Sequence, residues 1–322
     1  MCKNKYEDTL IELYQNYDLE KCKVQLIQQK IFVCGGIVDI KEVTPISFRG
    51  YFFEESASSE PQLESLLIMA EYFKDYFKDN IYTDLLEFED DIAHISSLIV
   101  IFLESPGSLV ELGLFVNKLE LYNKLLIVVP NNESKDSFIY LGPLTHIKKQ
   151  KNEFVVFYPF PKVNEKFDKN NVKDLISHIK SLLSKFGKTK KVNPKNKTHI
   201  IFLICEIVRL SYPITLTEIE LCLMGLSIDD YSRNVVQRFL YLLEKFEYIE
   251  SYDYSSYKFY YPNKKHKNNC FVKFGTKIGM QFDESKHRIS LRSTYIDDSS
   301  DASRKRSTAM KNIMEKLADE SE

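Results

Sequence analysis

Tryptophan is absent from this 322-residue chain, and glycine and proline are scarce at ten residues each. So few chain-breaking residues exclude a collagen-like or low-complexity polymer. The missing tryptophan carries no functional reading. The six cysteines (Cys2, Cys22, Cys34, Cys205, Cys222, Cys270) form no C-x-x-C pair, which removes the usual sequence evidence for a zinc or dithiol site. Several stand inside apolar runs, where a free thiol acts as a small buried hydrophobe. No uninterrupted apolar stretch approaches the roughly eighteen residues of a membrane-spanning helix. The N-terminus alternates charged and apolar residues, unlike a secretory signal. The expected setting is the reducing cytoplasm, with no membrane and no metal.

What is present is enough for two folded domains. The chain is 44% apolar and 13% aromatic, so wholesale disorder is excluded. Net charge is only −2, but it is unevenly placed. Ser184 to Lys273 carries 15 Lys/Arg against 9 Asp/Glu, a local +6, and the remainder carries −8. That asymmetry points to an anionic partner for the later segment.

Residues 5 to 29 place Tyr6, Leu10, Leu13, Tyr14, Tyr17, Val24 and Ile27 at helical spacing, an amphipathic helical lead-in over residues 1–29. From Lys30 the pattern changes. "KIFVCGG" is a short apolar strand running into Gly35-Gly36. A loop is expected to about Ser59, then a helix from Pro61 to about Phe77. "LLEFEDDIAHIS" (Leu85–Ser96) reads as a helix, "LIVIFL" (Leu98–Leu103) as a strand and residues 109–122 as a helix. "LLIVV" (Leu125–Val129) and "FVVFY" (Phe154–Tyr158) read as strands, with a closing helix from Val172 to Lys185. Wholly apolar strands alternating with helices indicate an α/β domain, a doubly wound parallel sheet over residues 30–185. Ligands in such sheets bind beyond the carboxyl ends of the strands.

One such end is unusual. The strand Leu98–Leu103 empties into Glu104-Ser105-Pro106-Gly107-Ser108, with a second acid, Glu111, in the helix that follows. Free amides at that helix start suit an anion, and Gly107 permits close approach. Ser108 and Glu111 also have the spacing of a capping box, which would occupy Glu111 structurally. That reading leaves Glu104 unexplained, and it leaves Gly113, which costs helix stability unless something packs closely there. The functional reading is a carboxylate aimed into the sheet-end crevice, where it can attack or shield a cationic sugar carbon, with a second acid beside it.

A basic segment, "SKFGKTKKVNPKNK" (Ser184–Lys197), has six lysines and no acid. Lys188, Lys190 and Lys191 make residues 186–197 a basic linker, either solvated or phosphate-binding. Three helices follow, Thr198–Leu210, Thr215–Gly225 and Ile228–Phe246, and then a hairpin around Ser255-Ser256. That order makes a smaller winged helix-turn-helix domain over residues 198–275. Arg233, Asn234, Gln237 and Arg238 lie on its third helix, and Tyr254, Tyr257 and Lys258 on the wing. Residues 276–322, including "RKR" at Arg304–Arg306, read as a polar tail with a short final helix.

The run "SPGSLVELG" resembles the signature of the nucleoside 2-deoxyribosyltransferase-like fold, and "IFVCGG" resembles that fold's opening strand and glycine loop. Within it the chain is most similar to the toxic effectors of bacterial retrons. The resemblance is carried by "IFVCGG", "ESPGSLVELGLF", Asn117, Lys124-Leu125 and "SFIYLGP" (Ser137–Pro143), and by the order of domains. It implies cleavage of an N-glycosidic bond, with Glu111 as nucleophile or oxocarbenium-stabilising anion and Glu104 as the acid that helps handle the base. It also implies that Gly35, Gly36, Ser105, Gly107, Ser108 and Asn117 line the substrate pocket. Ser97 stands where relatives carry an aspartate, with Asp90, Asp91 and His94 as candidate substitutes. The implied substrate is NAD or a related nucleotide, with no separate cofactor. The implied partners are a reverse transcriptase and its msDNA, an RNA–DNA hybrid molecule that holds the enzyme inactive and is met by Arg233, Arg238, Lys188, Lys190, Lys191 and Lys258. A homo-oligomer or higher assembly is left open. Two other readings stay open: a nucleoside deoxyribosyltransferase or hydrolase of nucleotide metabolism, and a non-enzymatic nucleotide-sensing DNA-binding regulator.

Overall fold

A computed structural model describes residues 5–25, 30–38, 44–73, 81–162, 167–186, 189–277, 282–296 and 298–318. The chain divides into two compact units: Gln28–Gly187, and Met1–Ile27 together with Lys188–Glu322.

The first unit is built on five parallel strands: β1 (Ile31–Cys34), β2 (Leu67–Ile68), β3 (Leu98–Phe102), β4 (Leu125–Pro130) and β5 (Val155–Tyr158). Their spatial order is β2-β1-β3-β4-β5. Every residue of β1 and β3 is buried, as continuous Ile/Val/Leu/Phe runs require when both sheet faces are covered. The longer helices are α1 (Phe48–Ser59), α2 (Leu85–Ile95), α3 (Pro106–Val116) and α4 (Asn170–Lys185). Phe48 and Phe52 of α1 pack on Phe102 at ring-centroid distances of 5.5 and 5.6 Å. Strand order reverses between β1 and β3, so the two loops leaving those strands flank the switch point, where ligands of such sheets bind.

Two expectations are corrected here. The loop foreseen up to Ser59 contains α1, whose N-cap Ser47 accepts from the Gly50 amide. The helix foreseen from Pro61 is a single turn, Pro61–Glu64, and the chain then enters β2. The apolar Leu66-Leu67-Ile68 run pairs with β1 because an edge position is free there. Residues 74–80 of that foreseen helix lie outside the described residues.

In the second unit the helix α5 (Lys197–Ser211) is buried at every position from His199 to Ser211. Around it stand α6 (Leu216–Gly225), α7 (Arg233–Lys245) and an antiparallel hairpin, β6 (Ile249–Tyr254) with β7 (Tyr257–Pro262). Its turn uses Ser255 at φ 57°. The first helix is shorter than expected. It covers Lys5–Gln15, and Asp18 then caps a 3-10 turn that turns the chain into a strand at Lys23–Gln25. That strand pairs with Thr189–Lys191 on one side and Val272–Lys273 on the other. The basic linker is therefore partly β-structure, with Lys190 and Lys191 exposed on an outer strand. Lys188 lies outside the described residues.

The polar tail is also corrected. It folds into α8 (Glu284–Ile296) and α9 (Asp301–Ala318), which bury Leu291, Tyr295, Met310, Ile313 and Leu317. Arg306 of the "RKR" run is buried against the Tyr6 ring and pairs with Glu218. No described helix is long and apolar enough to cross a membrane.

Candidate active site

The loop after β3 ends in a tight helix start. Ser105 is the N-cap of α3: its hydroxyl accepts from the Ser108 amide, and the Ser108 hydroxyl in turn accepts from the Ser105 amide. Pro106 occupies the first turn, where its missing N–H costs nothing. The cap is thus Ser105 with Ser108, three residues earlier than the alternative in which Ser108 pairs with Glu111. This register matters because it leaves Glu111 one turn inside the helix, free of any capping duty. Gly107 has only Ser105 Oγ near a hypothetical Cβ, at 3.8 Å, so the space above it is open. Gly113 has nothing within 4 Å of such a Cβ, so the close packing that its presence suggested is not supplied by the described residues.

The two carboxylates that bracket the loop have opposite environments. Glu104 is saturated. One oxygen accepts from the Gly36 and Arg49 amides at 3.1 and 3.0 Å, and the other from the Phe48 amide at 2.7 Å. It therefore ties the glycine loop after β1 to the first turn of α1. Burial raises its pKa, against the pull of these three amides and the Arg49 charge. Gly35 and Gly36 serve the same joint. Gly35 sits at φ +156°, and a Cβ there would lie 2.9 Å from Phe102 Cβ, while one on Gly36 would lie 3.0 Å from the Glu104 side chain.

Glu111 is the opposite case. Its Oε2 is buried with no hydrogen-bond partner. Desolvation, then the neighbouring charge of Glu89, push its pKa up to about 7, against a lowering by Arg49 and by a hydrogen bond from the Cys34 thiol. Glu89, on α2, is buried and likewise pushed up to about 7 by desolvation and by Glu71, with Arg49 pulling the other way. Arg49 is 3% exposed; it forks onto both oxygens of Glu71 at 2.9 Å and donates to the Gly36 carbonyl at 3.1 Å. Among the described residues the Arg49 guanidinium contacts one carboxylate, Glu71, and its charge also acts to lower Glu89, Glu104 and Glu111. Burial thus raises two neighbouring carboxyls toward neutrality, and the charge of Glu89 adds to the shift of Glu111. Among the described residues no His/Cys/Asp/Glu group has a metal-holding arrangement.

Glu89 is a site residue that the sequence alone does not mark out from Asp90, Asp91 and His94. Asp90 is ion-paired with Lys118, and its carbonyl lies 2.7 Å from His94 Nδ1. Asp91 is fully buried and accepts from the Tyr82 hydroxyl at 3.1 Å. His94 is buried too, with Nε2 3.3 Å from Glu120. Successive helix residues differ by about 100° in direction, so these neighbours point elsewhere while Glu89 interacts with Glu111. The signal was the position one turn beyond exposed Leu85 and Leu86. Asn117 is the C-cap of α3, with its amide on the Gly113 carbonyl at 3.4 Å.

In the second unit, two of the basic residues expected to meet nucleic acid already have partners. Arg233 pairs with Glu220, and Lys258 pairs with Glu244 at 3.1 Å. Arg238 is half-buried on α7.

Comparison with known proteins adds the following. The family described as STM3845 retron effector protein matches residues 45–251. The chain is 27% identical over 182 residues to "Retron Ec86 putative ribosyltransferase/DNA-binding protein" of Escherichia coli, covering 53% of this chain and 54% of that one. It is 26% identical over 204 residues to "Retron Ec73 putative ribosyltransferase/DNA-binding protein" of the same organism, covering 57% and 64%. The matched region is thus less than two thirds of the length of either relative.

Proposed function

Because the chain belongs to the STM3845 retron effector protein family, we propose that it is the toxic enzyme of a retron defence system and cleaves the N-glycosidic bond of NAD or a related nucleotide. The observation that carries the reading is the buried, unpartnered Oε2 of Glu111 at the switch point. The first unit is then a nucleoside 2-deoxyribosyltransferase-like domain, and the names of the two relatives, both ribosyltransferases by description, support glycosyl chemistry.

The chemistry follows from the charges. Glu111 in its ionised form attacks, or electrostatically shields, the anomeric carbon as the C–N bond breaks and its electron pair moves to the base nitrogen; water then bonds to that carbon, displacing Glu111 where it is bound and losing its proton to solvent. Glu104 holds the glycine loop and the α1 start in place, with both oxygens occupied. Glu89 is the acid that delivers a proton to a neutral leaving base. A pyridinium base such as nicotinamide needs no proton, because it leaves neutral. Gly36, Ser105, Gly107 and Ser108 line the sugar and phosphate side.

The second unit is then a winged helix that meets a reverse transcriptase bound to its msDNA through Arg233, Arg238, Lys190, Lys191 and Lys258, with Arg233 and Lys258 exchanging Glu220 and Glu244 for phosphates. Lysine and arginine contacts to phosphates supply affinity without sequence reading. The relatives' description as DNA-binding supports this part.

The test supplies purified protein with NAD+ and, separately, with a deoxynucleoside, and quantifies free base by chromatography. The reading expects base release from NAD+ that Glu111→Gln abolishes. Base release that survives Glu111→Gln contradicts it.

A further inference from the structure

In the second unit the hairpin turn, the starts of α6 and α7, and α9 enclose a cavity of about 360 Å³, a size within the range of about 300–1,000 Å³ found for small-ligand sites. The buried charges of its lining are already matched. Arg306 pairs with Glu218, whose other oxygen accepts from the Thr215 amide. Its exposed charges are not. Arg233, the first residue of α7, uses Nη1 for both Glu220 and the Thr217 hydroxyl. Its Nε and Nη2 make no hydrogen bond among the described residues, and these form the side-on edge that grips a phosphate with two parallel bonds. Lys258 donates to Glu244 alone and has three donors to give. Next to these cations Tyr257 and Phe259 supply an apolar wall, their rings stacked at 5.6 Å. Glu7 completes the lining as an acid with no hydrogen bond or ion pair among the described residues.

Three unmet demands therefore meet in one recess: an anion for Arg233 and Lys258, apolar area for the ring wall, and a donor for Glu7. Inorganic phosphate answers only the first. A nucleotide answers all three, with its phosphate, its sugar and base, and an amino group on the base edge. A paired base cannot enter such a recess without leaving its stack. We infer that this cavity binds one unpaired nucleotide, free or as part of a single strand. This deepens the reading of the second unit as the part that meets msDNA, and rests on that reading for a strand as the source.

Fluorescence anisotropy of the full-length protein tests this with a 5′-phosphorylated, 3′-fluorescein-labelled hexadeoxyadenylate and with a hairpin duplex. Ala302 lines the cavity from an exposed position on α9, so Ala302→Trp fills the space and removes no charge. It should weaken binding of the strand at least about tenfold and leave any binding of the duplex within about twofold. Arg233→Met should also weaken the strand at least about tenfold. Ala302→Ser should bind as the parent does, and circular dichroism should show all variants equally folded. Competition separates the two sources. Displacement of the strand by dAMP shows that a free nucleotide fills the cavity; a strand that dAMP does not displace but Ala302→Trp weakens shows that the nucleotide must be held in a chain. Unchanged strand affinity in Ala302→Trp, an equal loss for strand and duplex, equal displacement by dAMP and by ribose 5-phosphate, which lacks a base, or no binding of the strand by the parent overturns the assignment. Failure of the wider reading is a separate result: no co-purification of the full-length protein with the reverse transcriptase and its msDNA.

Discussion

Each unit buries a charged cluster, and the two are built on opposite principles. In the second unit Glu206 is fully buried, yet its oxygens accept from Arg209 and from the Phe271 amide at 2.7 Å, and Arg209 also forks onto Glu284. Every charge there has a partner of opposite sign. In the first unit one guanidinium, bound to Glu71, is the cation set against Glu89, Glu104 and Glu111 as well, and Glu111 Oε2 has no hydrogen-bond donor. A cluster that only holds helices together has no reason to leave an oxygen desolvated and unpaired, since that costs stability. In the proposed reaction that oxygen is the group that meets a developing positive charge, which gives it a reason to stay open.

Several substitutions sharpen that contrast. The largest effect is expected at Glu111: replacement by Gln should lower base release by about 10³-fold or more while making the protein more heat-resistant. The sign of the stability change follows from linkage. With its carboxyl raised from 4.5 to about 7, the folded chain holds a proton that the unfolded chain releases. Stability therefore falls as pH rises from about 4.5 to about 7, and stays lower above that. Removing the charge should raise the melting temperature at pH 8 by a few degrees and flatten its pH dependence, as calorimetry can show. In the second unit the sign reverses. Glu206→Leu leaves Arg209 with Glu284 alone and strips the Phe271 and Val272 amides of their acceptor, and should destabilise on the order of 3 kcal/mol by urea unfolding, without changing the pH dependence of base release.

A smaller effect separates substrates. Glu89→Gln removes the proton donor, so release of a neutral purine should fall by roughly 100-fold, whereas release of nicotinamide from NAD+ should change only a few-fold. The wild-type pH profiles should split the same way. Activity on NAD+ should rise through about pH 7 and level off, because only ionised Glu111 is needed. Activity on a purine nucleoside should be bell-shaped, because Glu89 must keep its proton. The smallest effect is at Cys34, whose thiol donates to Glu111. Cys34→Ala should move the acid limb of the NAD+ profile upward by a fraction of a pH unit.

Much of this could be read from the chain itself. The apolar runs at Ile31–Cys34, Leu98–Phe102 and Leu125–Pro130 announce strands buried on both faces, and all three pair in one parallel sheet. The Glu104–Glu111 loop was legible as a candidate site because an acid ends an apolar strand. What sequence could not settle was which partner each acid takes. Glu104 finds its amides on residues 36, 48 and 49, more than fifty positions away, and no local pattern encodes that. Glu89 was masked by Asp90 and Asp91, because helix phase relative to the sheet is a tertiary property. The start at Leu67 was lost because an edge strand of two residues borrows its stability from β1. The closing helices were read as a tail because their apolar residues are few, although Leu291, Tyr295, Met310 and Ile313 are all buried.

The central claim is that Glu111 is held desolvated and underpaired, with its carboxyl raised toward neutrality. Carbon-13 NMR titration of glutamate side-chain carboxyls, with the Glu111 signal assigned by its loss in Glu111→Gln, measures this directly. The account predicts a midpoint near 7 that drops when Glu89 is replaced by Gln; a midpoint near 4.5, unmoved by that replacement, would contradict it.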